Sequence, residues 1–130
     1  MSKKSNLPQP TNAELEILQI LWKAGPSTVR FVNEQLSEQQ EKEIRYTTTL
    51  KLMQIMTEKK LLSRNTDTRT HIYQAEAVQG DTQKALLKRF VDATFQGSAM
   101  NLVMQALGNH ETSQQELDEI KALIEKIEKG

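Results

Sequence analysis

The chain has 130 residues, 37% of them hydrophobic and 26% charged, with 17 basic side chains balancing 17 acidic ones. That length holds one small domain and a helical extension, not two large domains. No apolar run approaches the ~20 residues of a membrane-spanning helix, and the polar stretch Met1 to Pro10 lacks the apolar core of a secretion signal. The absence of cysteine excludes disulfides, thiolate metal sites and cysteine nucleophiles together, so a cytoplasmic protein without a metal or other cofactor is expected.

Formal neutrality conceals an uneven distribution. Between Arg45 and Arg69 stand six basic residues (Arg45, Lys51, Lys59, Lys60, Arg64, Arg69) against Glu58 and Asp67, whereas from Gln79 onward six basic residues face eight acidic ones. A basic middle and a mildly acidic tail suggest a polyanion-binding face and a separate assembly segment.

Residues 1–10, with Lys3, Lys4, Pro8 and Pro10, read as a flexible arm. Thr11 or Asn12 caps a first helix, in which Glu14 and Glu16 favour the positive end of the dipole. Leu15, Leu18, Leu21 and Trp22, with Ile17, recur at helical spacing, so Trp22 reads as a core residue. Gly25-Pro26 ends this helix. Ser27 is the expected cap of a second helix through Val29, Val32 and Leu36, and the polar stretch Ser37 to Glu43 reads as a loop or frayed end.

A third helix is predicted from about Tyr46 to Lys59. Its apolar face is Leu52, Ile55 and Met56, widened by Leu50 and Met53; the opposite stripe is Thr47, Lys51, Gln54 and Glu58. Leu61 to Arg64, the turn-rich Asn65-Thr66-Asp67-Thr68, and Arg69 to Ala75 with Ile72 and Tyr73 read as a hairpin. Three helices and a hairpin make a winged helix-turn-helix over residues 11–78. The expected fold class is therefore mainly α, an α+β winged helix, followed by a C-terminal helical dimerisation region over 79–130.

In that region Thr82 to Phe95 carries Leu86, Leu87, Phe90 and Val91. Gly97 and Ser98 break it, Ala99 to Leu107 forms a short apolar helix in which Met100 and Met104 read as packing residues, and Gly108 to Thr112 turns. Ser113 and Glu116 have capping-box spacing. Leu117, Ile120, Ile124 and Ile127 follow at spacings of three, four and three, a seam for a helix partner. It spans under two heptads, too short to stand alone. The expected dimerisation residues are Leu86, Phe90, Leu102, Val103, Leu117, Ile120, Ile124 and Ile127.

A helix in this position lies in the DNA major groove and reaches base edges with its N-terminal residues. Thr47, Thr48 and Lys51 occupy that end, with Gln54 farther along the same stripe and Arg45 just ahead. Thr hydroxyls bond bases or phosphates, the Thr methyl meets a thymine methyl, and Lys51 reaches guanine or phosphate. Arg64 and Arg69 flank the wing turn, suited to phosphate contacts that position without reading sequence. Lys3, Lys4, Lys59 and Lys60 are candidates for nonspecific attraction. No enzyme is expected: His71 and His110 are far apart in sequence, and neither a Gly-rich phosphate loop nor a nucleophile with its base stands out.

The run Thr11-Asn12-Ala13-Glu14-Leu15-Glu16-Ile17-Leu18, then Ile20-Leu21-Trp22 and Gly25-Pro26-Ser27-Thr28-Val29-Arg30, resembles the opening of the BlaI/MecI/CopY penicillinase-repressor family. The resemblance continues through Tyr46-Thr47-Thr48-Thr49-Leu50, Glu58-Lys59-Lys60-Leu61-Leu62, and Arg64, Arg69 and Tyr73, covering roughly residues 10–107. It implies a homodimeric repressor on a palindromic DNA operator in an antibiotic-resistance setting. Derepression in that family typically follows C-terminal cleavage by a membrane sensor-protease pathway or, in another branch, metal binding to a cysteine-rich tail. This chain departs from the pattern in three places: it lacks cysteine, Gln105-Ala106 stands where the scissile Asn-Phe pair aligns, and Lys60 replaces the Gly that commonly follows the third helix, so a different turn closure is expected. A winged-helix regulator sensing a small molecule between its domains, and a helical protein-interaction module without DNA binding, remain as alternatives.

Overall fold

The computed structural model describes residues 9–108 and 113–129, with side chains as far as Lys126. In chain order the elements are α1 (Asn12–Ala24), α2 (Val29–Gln40), α3 (Tyr46–Glu58), β1 (Leu62–Asn65), β2 (Ile72–Ala75), α4 (Gln79–Phe95), α5 (Ala99–Leu107) and α6 (Gln114–Lys129). The chain divides after Thr82, in the first turn of α4, into two compact units. Lys3, Lys4, His110 and the Ile127 side chain lie outside the described residues.

In the first unit Thr11 caps α1 through a reciprocal capping box: its hydroxyl accepts from the Glu14 amide at 3.2 Å, and the Glu14 carboxylate accepts from the Thr11 amide at 2.9 Å. The same carboxylate pairs with Lys59 just beyond α3 at 2.7 Å. Burial acts to raise the Glu14 pKa, but the hydrogen bonds from Lys59 and Thr11 and the attraction of the Lys59 charge together hold it below its ordinary value of 4.5. Lys59, expected as a free cation, thus joins the end of α3 to the start of α1.

The core gathers Ile17, Leu18, Ile20 and Leu21 from α1, Val29, Val32 and Leu36 from α2, Met53 and Met56 from α3, and Leu61, Leu62 and Tyr73 from around the hairpin. Trp22 packs against this cluster and donates its indole N–H to the Ala77 carbonyl at 2.9 Å. Gly25 ends α1 at φ 86°, its amide bonded to Leu21, a conformation that L side chains rarely adopt.

The cap of α2 is Thr28, whose hydroxyl accepts from the Phe31 amide at 3.1 Å. Ser27, the expected cap, instead joins the wing: its backbone exchanges hydrogen bonds with Tyr73 at 2.9 and 2.8 Å. A one-residue strand is thereby added beside β2. Helix α2 also continues to Gln40 through residues expected to be irregular, where Gln40 donates to Glu16 of α1 at 2.7 Å.

The buried face of α3 is Thr49, Met53 and Met56, with Leu50 and Leu52 packed partly beneath it. This is rotated from the expected Leu52–Ile55–Met56 face because a polar pin sets the phase. Asn33 on α2 donates at 2.9 Å both to the Thr49 hydroxyl and to the Ile44 carbonyl, which satisfies a hydroxyl with no solvent exposure. At the other end Lys60 adopts φ 68°, with its amide on Thr57 and that of Leu61 on Met56. This is a Schellman closure with a non-Gly residue at the left-handed position, so the turn keeps the geometry that glycine would favour. Met56 and Leu61, at the two positions this motif brings together, are both buried in the core cluster.

Antiparallel β1 and β2 pair Leu62 with Ala75, Ser63 with Gln74, Arg64 with Tyr73 and Asn65 with Ile72. The Asn65 side chain accepts from the Asp67 amide at 2.8 Å, starting the loop. Arg69, expected at the start of a strand, lies in this loop instead.

In the second unit the α4–α5 break falls at Gln96 and Gly97, both at positive φ, and Ser98 caps α5 by accepting from Asn101 at 3.1 Å. Ser113 and Glu116 bond reciprocally ahead of α6. Val91 and Ile124 are buried, and Leu86, Leu102, Val103, Leu117 and Ile120 are half-buried. Leu87, Phe90, Met104 and Leu123 remain 53, 49, 50 and 57% exposed, so Met104 is not a core residue of the single chain. Phe90 meets Phe95 edge-to-face, ring centres 5.8 Å apart.

Two stability outcomes follow from these contacts. Lys60→Gly relieves left-handed strain of about 1–2 kcal/mol and loses part of that to a more flexible unfolded chain. Urea denaturation is expected to show a net gain of about 0.5–1 kcal/mol. Lys59→Met is expected to cost about 1–2 kcal/mol at pH 7 by removing a charge-assisted bond. Because the folded Glu14 pKa is depressed, this contribution is present above the unfolded value and is lost as pH falls through the folded one. The gap between wild type and variant should therefore shrink in acid.

Candidate nucleic-acid interface

Two properties of α3 leave one of its faces directed outward. One face is locked to the core by Thr49, Met53 and Met56. On the other, Thr47, Thr48, Lys51, Gln54 and Glu58 are exposed, as the spacing predicts. The helix starts after Arg45, which is exposed and makes no side-chain cap. The first amides of α3 are therefore not capped by that side chain, an arrangement suited to anionic oxygens.

The hairpin separates charge between its faces. Directly opposed residues share a face, so Arg64 lies on the Tyr73 face and Ser63 with Gln74 on the other. Glu76 belongs with the latter, accepting from Ser63 at 2.6 Å and from Gln74 at 3.1 Å. These two hydrogen bonds hold its carboxyl below the ordinary pKa against a small opposing effect of burial. Arg64 and the Glu76 carboxylate are thus on opposite faces.

Of the predicted contact residues, Arg69 reaches a cleft of about 680 Å³ bounded by the starts of α2 and α3 and by the wing, where it joins Arg30, Tyr46 and His71. Thr47, Thr48, Lys51, Gln54, Arg45 and Arg64 stand outside that cleft. Arg30, Tyr46 and His71 escaped the sequence reading. Arg30 follows the Thr28 cap by two positions and Tyr46 opens α3, so both sit in first turns once the helix starts are known. His71 gave no comparable signal.

A three-helix unit whose third helix exposes a polar stripe beside a two-stranded wing is a winged-helix DNA-binding module. The chain belongs to the penicillinase repressor family, whose model matches residues 10–126, and by that membership is a DNA-binding transcriptional regulator. Two solved structures of RosR from H. salinarum are similar, the hsRosR-S4 and hsRosR-SG complexes. Their TM-scores are 0.55 and 0.53 at 13% and 12% identity, over 96% of this chain in both cases and 95% and 97% of theirs. At that identity the likeness carries the fold alone. A search of curated proteins gives no match. Among the described residues no helix is long and apolar enough to cross a membrane.

Lys51→Ala tests the exposed stripe directly. A guanine contact predicts a loss of about 1–3 kcal/mol and relaxed preference at one base position. Binding curves on a panel of singly substituted duplexes measure both.

Proposed function

We propose that the chain is a sequence-specific repressor that binds a palindromic operator as a homodimer. Residues 11–78 read the half-sites and residues 79–130 hold the two copies together. The observation that carries the dimer is the apolar surface left open on the second unit: Leu87, Phe90, Met104 and Leu123 are about half exposed or more in the single chain. Four large apolar side chains exposed on so small a unit support an assembly surface there. The proposed contact set is Leu86, Phe90, Leu102, Val103, Leu117, Ile120, Ile124 and Ile127, with Leu87, Met104 and Leu123 added by their exposure. Ile124 is already buried within one chain, so its part is to position α6.

Two-fold symmetry gives the dimer a use. It would set two recognition helices about one DNA turn apart, ~34 Å, so that two modest half-site affinities act together. On DNA, Thr47, Thr48, Lys51 and Gln54 meet base edges, while Arg45, Arg64 and Arg69 meet phosphates. For release of repression, Gln105 and Ala106 are exposed in the last turn of α5, a position open to the sensor-protease route although the residue pair differs from Asn-Phe.

The test is binding to the DNA upstream of the chain's own gene against a scrambled duplex, at several salt concentrations. Preference for the former and a steep salt slope are expected; a flat or absent response would instead indicate a protein-only module. Leu123→Glu should leave the monomer folded, since the side chain is mostly in solvent. By light scattering it should shift dimer to monomer, and operator affinity should fall on the order of 10²-fold as the joint half-site effect is lost.

A further inference from the structure

The cleft between the starts of α2 and α3 and the wing gathers three basic side chains. Arg30, Arg69 and His71 line it from two different elements, α2 and the wing loop, with the Tyr46 ring from α3 and an apolar floor that includes Val29 and Leu50. Among the described residues no carboxylate lines it, and neither arginine takes part in a described ion pair. In a chain with as many acids as bases, a cleft walled only by cations and neutral groups has the chemistry to attract an anion. It opens beside the start of α3, where Arg45 makes no side-chain cap.

Building on the DNA-binding reading above, we propose that this cleft seats one sugar–phosphate segment of the operator backbone, with Arg30 and Arg69 gripping the phosphate from opposite walls. A guanidinium presents its donors in a planar fork that matches a phosphate's oxygens. His71 offers a further ring N–H and Tyr46 a hydroxyl, while Val29 and Leu50 accept the C–H face of the sugar. A volume of about 680 Å³ has room for such a segment and exceeds what a lone inorganic anion fills. The seat ties the backbone to the protein independently of sequence, because its walls belong to α2, α3 and the wing together. Arg30 is thereby a DNA-positioning residue that reads no base.

The test compares wild type, Arg30→Ala and Arg30→Lys on operator and scrambled duplexes across salt concentrations, with thermal melts confirming the fold. Arg30→Ala should weaken both duplexes by the same factor and reduce the slope of log K against log[salt] by about 0.9, one phosphate contact. Arg30→Lys should restore most of the slope but only part of the affinity, because a point charge replaces a fork. An unchanged slope in Arg30→Ala, with wild type binding normally, overturns the seat while leaving the DNA-binding reading intact. Weakening confined to the operator also overturns it, since Arg30 would then read bases. If wild type binds neither duplex, the underlying DNA-binding reading fails instead. Titration of the free protein with inorganic phosphate separates the remaining source: saturable binding that Arg30→Ala abolishes, with DNA binding unaffected, would assign the cleft to a free phosphate and overturn the proposal.

Discussion

Ser27 and Tyr73 exchange two backbone hydrogen bonds of 2.9 and 2.8 Å, and the positions of the wing, α2 and the cleft all depend on that exchange. A hairpin of two four-residue strands is marginal by itself in water. Here it gains a third, one-residue strand and buries Leu62 and Tyr73 almost completely. The Leu61 carbonyl adds a further tie, accepting from Glu76 at 2.8 Å and Ala77 at 3.2 Å where the chain leaves β2. Because Thr28 caps α2 immediately after Ser27, pairing Ser27 to the wing also fixes where α2 begins. Arg30 is in the first turn of that helix, which is why a residue far from Arg69 in sequence lines the same cleft. Gly25 makes the reversal possible by taking φ 86° at the end of α1.

The second requirement is that α3 be gripped on one side so that the other can face outward. Thr47, Thr48 and Thr49 show how sharply this divides neighbours. The helix turns about 100° per residue, so the first two are exposed while the third has no exposure and is bonded by Asn33. Asn33 fixes the start of the helix and the Lys60 turn fixes its end. Lys59 then ties that end to Glu14, inside the capping box of α1. Three local devices therefore set the pose of a helix only thirteen residues long, each using a polar group whose partner lies on another element or across the turn.

Much of this was legible in the sequence where local chemistry sufficed. Gly25-Pro26 ends a helix, the turn residues after Arg64 close a hairpin, and the stripe from Thr47 to Glu58 is exposed as its spacing requires. What escaped depended on contacts between distant residues. Ser27 and Thr28 are both able caps, and only Tyr73, remote in sequence, assigns Ser27 to a strand and Thr28 to the helix. Helix α3 carries apolar residues at 50, 52, 53, 55 and 56, so its pattern leaves the phase ambiguous until Asn33 selects Thr49 and, with it, Met53 and Met56. The end of α2 is polar on every side and gives no periodic signal, yet its last residue bonds Glu16. On α6 the spacing of three and four sets Leu117, Ile120 and Ile124 on the half-buried to buried side of the helix. It does not show that Ile124 is covered within the chain while Leu123 beside it stays open.

Neutrality of the whole chain constrains how such a protein engages DNA. With 17 charges of each sign, net charge offers no long-range attraction, so affinity must come from where the cations stand. Within the first unit two carboxylates are held away from the exposed cations of the wing and the cleft. Glu14 is consumed by Lys59 and Thr11 within the core rim, and Glu76 is held by Ser63 and Gln74 on the wing face opposite Arg64. Arg30 and Arg69 line a cleft with no carboxylate among its described residues. The salt response of such a surface follows the number of phosphates engaged, not the charge of the molecule. In the proposed binding mode, wing, α2 and α3 engage the backbone together, and those sequence-independent contacts would present the exposed stripe of α3 to the base edges.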